Sequence, residues 1–218
     1  MTLALFDLDN TLLKGDSDYQ WGEFLVRKGL VDAKQHAETN RRFYGQYTNG
    51  TLNIHEYAAF TFKFLSDHSK EQLDQWRQEY LQEDVQQMIP AAARALVEKH
   101  RTLGHTLVII TATNSFVTRP IATEFGIEHL LAVEPKMENG RYTTEIDGIP
   151  TFREGKIERL KAWLQGRAET LEGSYFYSDS HNDLPLLEIV DYPTAVDPDD
   201  ILRAKAIARG WPIISLRS

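Results

Sequence analysis

The chain has 218 residues, a formal net charge of −8, 42% hydrophobic and 26% charged residues, and no cysteine. This length and balance suit a soluble protein with a sizeable core, built as one large domain or as a core carrying a smaller insert. Disulfides and thiolate metal sites are excluded, and an acidic chain without a run of Lys and Arg argues against nucleic acid or an anionic membrane as partner.

The N-terminus opens directly on "TLALFD", Thr2 to Asp7, a short apolar run that reads as a buried strand. It lacks the basic stretch and long apolar region of a signal peptide. No apolar run reaches the roughly 18 residues of a membrane helix, so a cytoplasmic protein is the plain expectation. Four segments of helical period follow, Ser17–Lys28, Ala33–Tyr47, Asn53–Ser66 and Lys70–Gln87, punctuated by Gly29, "TNG" and "SDHS". They predict a helical bundle inserted over residues 16–87, with a core made of residues 1–15 and 88–218.

Strand and helix then alternate. Pro90 introduces a helix over Ala91–Leu103 that Gly104 ends. "TLVIIT" (Thr106 to Thr111) predicts a second buried strand, and Val117–Phe125 a helix with Pro120 in its first turns. "HLLAVEP" predicts a third strand, and "MENGRYTTEIDGIPTF" a hairpin turning at Asn139–Gly140. A helix over Lys156–Leu164, a fourth main strand at Ser174–Asp179, a helix over Leu184–Val190, and two late strands, "PTAVD" and "PIISL", complete the chain. The pattern is α/β: a Rossmann-like parallel sheet core with an inserted α-helical bundle cap.

Open parallel sheets bind ligands at the carboxyl ends of their strands. Here the first strand ends in Asp7, Asp9, Asn10 and Thr11, the second in Thr111, Ala112, Thr113 and Asn114, and the fourth in Ser178, Asp179, Ser180, Asn182 and Asp183. The three groups hold four carboxylates and neither Lys nor Arg. Four carboxylates on one rim need a cation, and oxygen ligands without Cys or His favour a hard ion such as Mg²⁺. Lys156 is the nearest plausible fixed positive charge. At a helix start it opposes the helix dipole, at a cost of about 0.3–1 kcal/mol, which an anion nearby relieves. A phosphate held by Mg²⁺, Lys156 and the Thr111 hydroxyl uses every part.

"DLDNT" at Asp7–Thr11, "IITAT" at Ile109–Thr113, Lys156, and "YSDSHNDLPLL" at Tyr177–Leu187 resemble the four ordered motifs of the haloacid-dehalogenase-like phosphatases. The helical insert resembles the cap of their phosphoserine-phosphatase-like branch. The resemblance implies a Mg²⁺-dependent phosphomonoesterase acting on a small-molecule phosphomonoester. In it Asp7 is the nucleophile and forms an aspartyl-phosphate, and Asp9 protonates the leaving alcohol and then activates water. Asp7, Asp179 and the backbone carbonyl of Asp9 hold the metal, while Asp183 orients metal-bound water or Lys156. Thr111, Ala112 and Lys156 form the phosphate site, and Thr11 and Asn182 brace its loops.

Plainer roles compete for several of these residues. Asp183 precedes a helix and suits an N-cap. Thr111 suits a strand end, and Arg153 and Lys161 compete with Lys156. His181 reads as an exposed loop residue, and most cap aromatics as bundle core. Asp16 matches the acidic residue that reads the substrate amine in phosphoserine phosphatases, but it equally suits an N-cap for the first cap helix. Those enzymes also place an arginine in the cap for the substrate carboxylate, where this chain has Ala59 to Thr61. The departure favours an amine-bearing phosphate without a carboxylate, such as histidinol phosphate, ahead of phosphoserine and of a lipid or sugar phosphate. Three other functions fit parts of the pattern: a phosphotransferase or mutase on the same core, a receiver-like phospho-signalling module, and a binding protein with a dead site. A receiver lacks the second aspartate, Asp9, and the large cap.

Overall fold

In the computed structural model, which describes residues 2–217, β1 (Leu3–Phe6) is the centre of a seven-stranded sheet ordered β4-β3-β2-β1-β5-β6-β7. β1 pairs in parallel with β2 (Thr106–Asn114) on one side and with β5 (Tyr175–Ser178) on the other. Its side chains alternate: Leu3 and Leu5 enter one apolar core, Ala4 and Phe6 the other. A strand buried on both faces can be apolar throughout, as "LALF" is. β6 (Tyr192–Val196) and β7 (Ile213–Ile214) extend the sheet in parallel beyond β5.

Beyond β1 the chain builds α1 (Ser17–Arg27), α2 (Ala33–Thr48), α3 (Ile54–Asp67) and α4 (Lys70–Tyr80). Side chains cap all four N-termini: Asp16, Asp32, Asn53 and Ser69 accept from the first free N–H groups. The sequence pattern runs the fourth helix unbroken to Gln87, but it passes through a π turn at Leu81–Val85 into a short α5 (Gln86–Met88). Trp21, Phe24 and Tyr80 pack at ring-centroid distances of 5.4–5.7 Å. Trp21 also meets Phe116 at 5.7 Å, so the bundle shares an aromatic core with the sheet domain.

α6 (Ala91–Thr102) leads into β2, which runs without a loop into α7 (Ser115–Glu124). α7 starts two residues earlier than the pattern indicates, because Asn114 caps it by accepting from the Val117 N–H. Pro120 therefore lies inside the helix and cannot donate to the Phe116 carbonyl. Arg77 of α4 takes that place, donating at 3.0 Å to the Phe116 oxygen. β3 (His129–Glu138) merges the expected third strand with the first arm of the hairpin. It runs parallel to β2 and antiparallel to β4 (Arg141–Asp147). Asn139 and Gly140 turn the hairpin at φ 51° and 78°.

α8 (Glu154–Leu164) begins two residues before Lys156, and α9 (Leu184–Leu187) is a short segment after a 3-10 turn at His181–Asp183. α10 (Asp200–Arg209) has no strong signature in the sequence, since its buried stripe is only Leu202 and Ala206. Among the described residues no helix is long and apolar enough to cross a membrane.

Candidate active site

Asp7 follows the last residue of β1, and its N–H donates to the Tyr177 carbonyl at 2.9 Å, extending the β1–β5 ladder by one rung. This backbone bond fixes the carboxylate at the sheet's carboxyl edge. Lys156 rises from the first turn of α8 and is 2% exposed. Its ammonium donates to Asp7 Oδ1 and to Asp183 Oδ2, both at 2.7 Å. Burial alone would lower Lys156, but Asp183 and Asp7 outweigh it and hold the ammonium above its ordinary value.

Asp183 shows no capping bond to α9. Its Oδ2 receives the Ser178 hydroxyl at 2.7 Å as well as Lys156, so the carboxylate points into the site. Thr11 sits between two acids: its hydroxyl is 3.0 Å from Asp179 Oδ1 and 3.4 Å from Asp7 Oδ2, and it accepts the Asp179 N–H at 3.0 Å. Asn182 accepts from Arg153 Nε at 3.0 Å. The Arg153 guanidinium also donates to the Gly50 carbonyl at 2.6 Å, which ties the α2–α3 loop to the core instead of competing with Lys156. Gly50 suits that position by its φ of 75°, a conformation that strains other side chains. His181 is half-buried, not exposed, because its Nδ1 and backbone N–H both bond Asp199.

Asp9 faces away from Lys156. Ser17 N–H, the first free donor of α1, reaches its Oδ1 at 2.6 Å, and the Thr113 hydroxyl reaches Oδ2 at 2.7 Å. Burial raises its carboxyl to about 6, and the nearby Asp16 adds to this. Because a hydroxyl can reverse its role, Thr113 can accept from the protonated acid as readily as it donates to the carboxylate. Thr111 is 1% exposed; its Oγ1 accepts the Thr113 N–H at 3.2 Å and its carbonyl accepts the Thr151 hydroxyl. The Thr111 hydroxyl hydrogen thus remains available to a ligand.

Burial, with Asp183 and Asp9, raises Asp7 to about 7 against the opposing pull of Lys156. Burial raises Asp179 well above the carboxylate range, reinforced by Asp7. One ammonium does not balance this many acids. Asp7 Oδ2 has only the long Thr11 contact, and Asp179 Oδ2 has no hydrogen-bond partner among the described residues. Among those residues no three acidic or histidine side chains converge as a ready metal cluster. Two carboxylates and a backbone carbonyl, with water and a phosphate completing the shell, fit the oxygen chemistry of Mg²⁺.

A cavity of about 600 Å³ opens above these groups, lined by Asp7, Asp9, Thr111, Ala112, Lys156 and Asp183 below. The bundle supplies the other wall, with Asp16, Glu23, Arg41, Tyr44, Tyr47 and Tyr57 among its lining. Asp16 Oδ1 accepts from the Asp18 and Tyr19 N–H groups at 2.9 Å, so it does cap α1, while Oδ2 has no partner among the described residues. It is exposed to the cavity, yet the walls on either side displace enough bulk water to raise it to about 6, with Asp18 adding to the effect. Asp18 is satisfied by Tyr57 at 2.5 Å and Asn114 at 3.0 Å, and Tyr47 bonds Ser180 across the bundle–core boundary at 2.9 Å.

Sequence reasoning passed over Thr113 and Ser178 as partners of catalytic-site acids, although both stand at strand ends. It read most cap aromatics as core and could not say which tyrosines face the site, because composition cannot separate a core ring from a wall ring. Arg41, a cavity-lining residue of α2, also went unremarked, because a guanidinium was sought only on α3.

A parallel sheet with acids at its carboxyl edge and a helical insert over them defines a phosphatase class. A family model described as haloacid dehalogenase-like hydrolase matches residues 4–188, and the chain belongs to that family as one of its phosphatases. The histidinol-phosphatase of Neisseria meningitidis serogroup C (strain 8013) is 42% identical over 219 residues, covering 99% of each chain. A crystal structure of a Bordetella pertussis Tohama I protein of unknown function superposes with a TM-score of 0.93 at 44% identity, covering 99% of this chain and 100% of that one. A phosphoserine phosphatase solved as a phospho-aspartyl intermediate analogue shares the fold, with a TM-score of 0.71 at 16% identity over 99% of this chain and 93% of that one.

Proposed function

We propose that this phosphatase hydrolyses a small amine-bearing phosphomonoester, histidinol phosphate in particular, through an aspartyl-phosphate on Asp7. The observation that carries the reading is one cavity with two unlike walls: Asp7, Asp9, Thr111 and Lys156 on the core side, acids and tyrosines on the bundle side. The 42% identity to the Neisseria histidinol-phosphatase supports the same substrate.

Asp7 attacks phosphorus while Lys156 fixes its orientation through Oδ1. The Asp7–phosphorus bond forms as the phosphorus–alkoxide bond breaks, and Asp9 gives its proton to the leaving oxygen. Lys156 and the Thr111 hydroxyl neutralise and position the phosphoryl oxygens. Water then attacks the acyl phosphate, Asp9 takes its proton, and Asp7 is released with inorganic phosphate. Asp7, Asp179 and the Asp9 carbonyl would hold Mg²⁺, which supplies positive charge where the phosphoryl oxygens gather it.

One observation favours a second reading. Arg41 lines the cavity, and a guanidinium there suits the carboxylate of phosphoserine. Phosphate release measured over a panel of phosphomonoesters with Mg²⁺ decides between them. Histidinol phosphate is expected to show the highest kcat/KM, and EDTA to abolish turnover. Faster turnover of phosphoserine overturns the substrate assignment.

A further inference from the structure

Asp16 and Glu23 are seven residues apart on α1, two helical turns, so both face the cavity from one side of the helix. The separation along the axis is about 10 Å. Asp16 belongs to the phosphate end, since its charge acts on Asp9; Glu23 lines the cavity two helical turns away from it. The acids nearer the phosphate are engaged: Asp9 by Ser17 and Thr113, Asp18 by Tyr57 and Asn114, and Asp16 in part by its own helix.

Glu23 is different. Among the described residues it makes no hydrogen bond and no ion pair, although it is half-buried and lines the cavity. Two basic side chains on α2 are its obvious candidates. Arg41 lines the same cavity but forms no ion pair with it. His36 is near enough to feel its charge, but burial lowers the ring below its ordinary value, and its Nε2 is occupied by Asn40 at 2.9 Å. A carboxylate without a partner among the described residues, on the wall of a ligand cavity, calls for a donor on the ligand.

Resting on the histidinol phosphate reading above, we propose that Glu23 is a specificity-determining residue that accepts a hydrogen bond from a ring nitrogen at the distal end of the substrate. An extended imidazole-bearing amino-alcohol phosphate places that nitrogen roughly 7–8 Å from phosphorus, counting bonds of about 1.5 Å with tetrahedral zigzag. That length is of the same order as the rise of about 10 Å from Asp16 to Glu23 along α1. The tyrosines along the wall supply flat surface for the ring, and Glu23 supplies the polar test that a phenyl ring fails.

A matched substrate pair isolates this role. Histidinol phosphate and phenylalaninol phosphate share the phosphate, the amine and a flat aromatic ring on the same carbon chain, and differ in the ring nitrogens and by one ring atom. The ratio of their kcat/KM values is measured in the wild-type protein, Glu23→Gln and Glu23→Ala, with each variant's fold checked by thermal melting. The wild-type ratio is expected to favour the imidazole by about tenfold to a hundredfold, as for a hydrogen bond to a charged acceptor. Glu23→Ala is expected to bring it close to one, with Glu23→Gln between. An unchanged ratio in Glu23→Ala, or a wild-type ratio near one, overturns the role of Glu23. A wild-type preference for phosphoserine over histidinol phosphate instead overturns the substrate reading, while the paired ratio still judges Glu23.

Discussion

Lys156 holds Asp7 at 2.7 Å in a site where both side chains are almost wholly buried, and it holds Asp183 at the same distance. A buried ammonium shared by two carboxylates is justified by function more than by stability, since a buried pair roughly breaks even against apolar packing. Removing only the lysine is another matter, because both acids stay buried without their counter-charge. Lys156→Met is expected to lose about 3–5 kcal/mol of stability in urea unfolding and nearly all phosphatase activity. A variant of wild-type stability would show that the acids are not held by this ammonium.

Asp9 offers a cleaner separation of chemistry from structure. Its side chain bonds Ser17 and Thr113 and hydrogen-bonds neither Lys156 nor Asp7, and the donor it would lend to a metal is its backbone carbonyl. Asp9→Asn keeps the shape and can still accept from the Ser17 N–H. It is expected to reduce kcat by about 10²–10⁴, the usual worth of a general acid–base, while leaving the Mg²⁺-induced rise in Tm near the wild-type value. Retained hydrolysis would remove Asp9 from the proton-transfer step.

The strands, the bundle's four helices and the acids at the sheet's edge are legible in the sequence because each rests on local rules. A buried strand must be apolar, a helix start needs an acceptor, and a parallel sheet gathers polar residues at its carboxyl edge. The rest depends on neighbours distant in sequence. Nothing near Tyr57 announces that it will donate to Asp18, 39 positions away. Asp16 shows the limit most sharply: capping and ligand reading call for the same residue at the same place, and the structure gives one oxygen to the first and leaves the other without a partner.

Arg77 and Pro120 form a compensating pair across the bundle–core boundary. The proline removes the donor that the Phe116 carbonyl expects, and the guanidinium supplies it while stacking 4.6 Å from the Phe116 ring. Arg77→Ala is expected to cost about 1–2 kcal/mol in chemical denaturation. In a Pro120→Ala background the helix regains its own N–H donor, so the same arginine change is expected to cost less. Arg77 also pairs with Asp74 at 2.7 Å, and equal costs in the two backgrounds would show that it works through that pair and ring stacking alone.

The acids of the site also fix how stability responds to pH and metal. Asp7 is raised to about 7 and Asp9 to about 6, chiefly by burial. In the unfolded chain both release their protons near 3.8, so between about pH 4 and 7 the native state holds more protons than the unfolded one. Stability from these groups is therefore greatest at low pH and is lost as pH rises through their folded values. Mg²⁺ reverses the trend, since it competes with protons for the same oxygens and binds best where the acids are ionised. In EDTA, this site's contribution to Tm is expected to fall between pH 5 and 7.5, seen as a steeper decline than in an Asp7→Asn variant. The rise in Tm on adding Mg²⁺ is expected to be largest above pH 7 and to shrink steadily below it. A magnesium effect of equal size at pH 5 and pH 7.5 would mean that the ion binds away from Asp7 and Asp179.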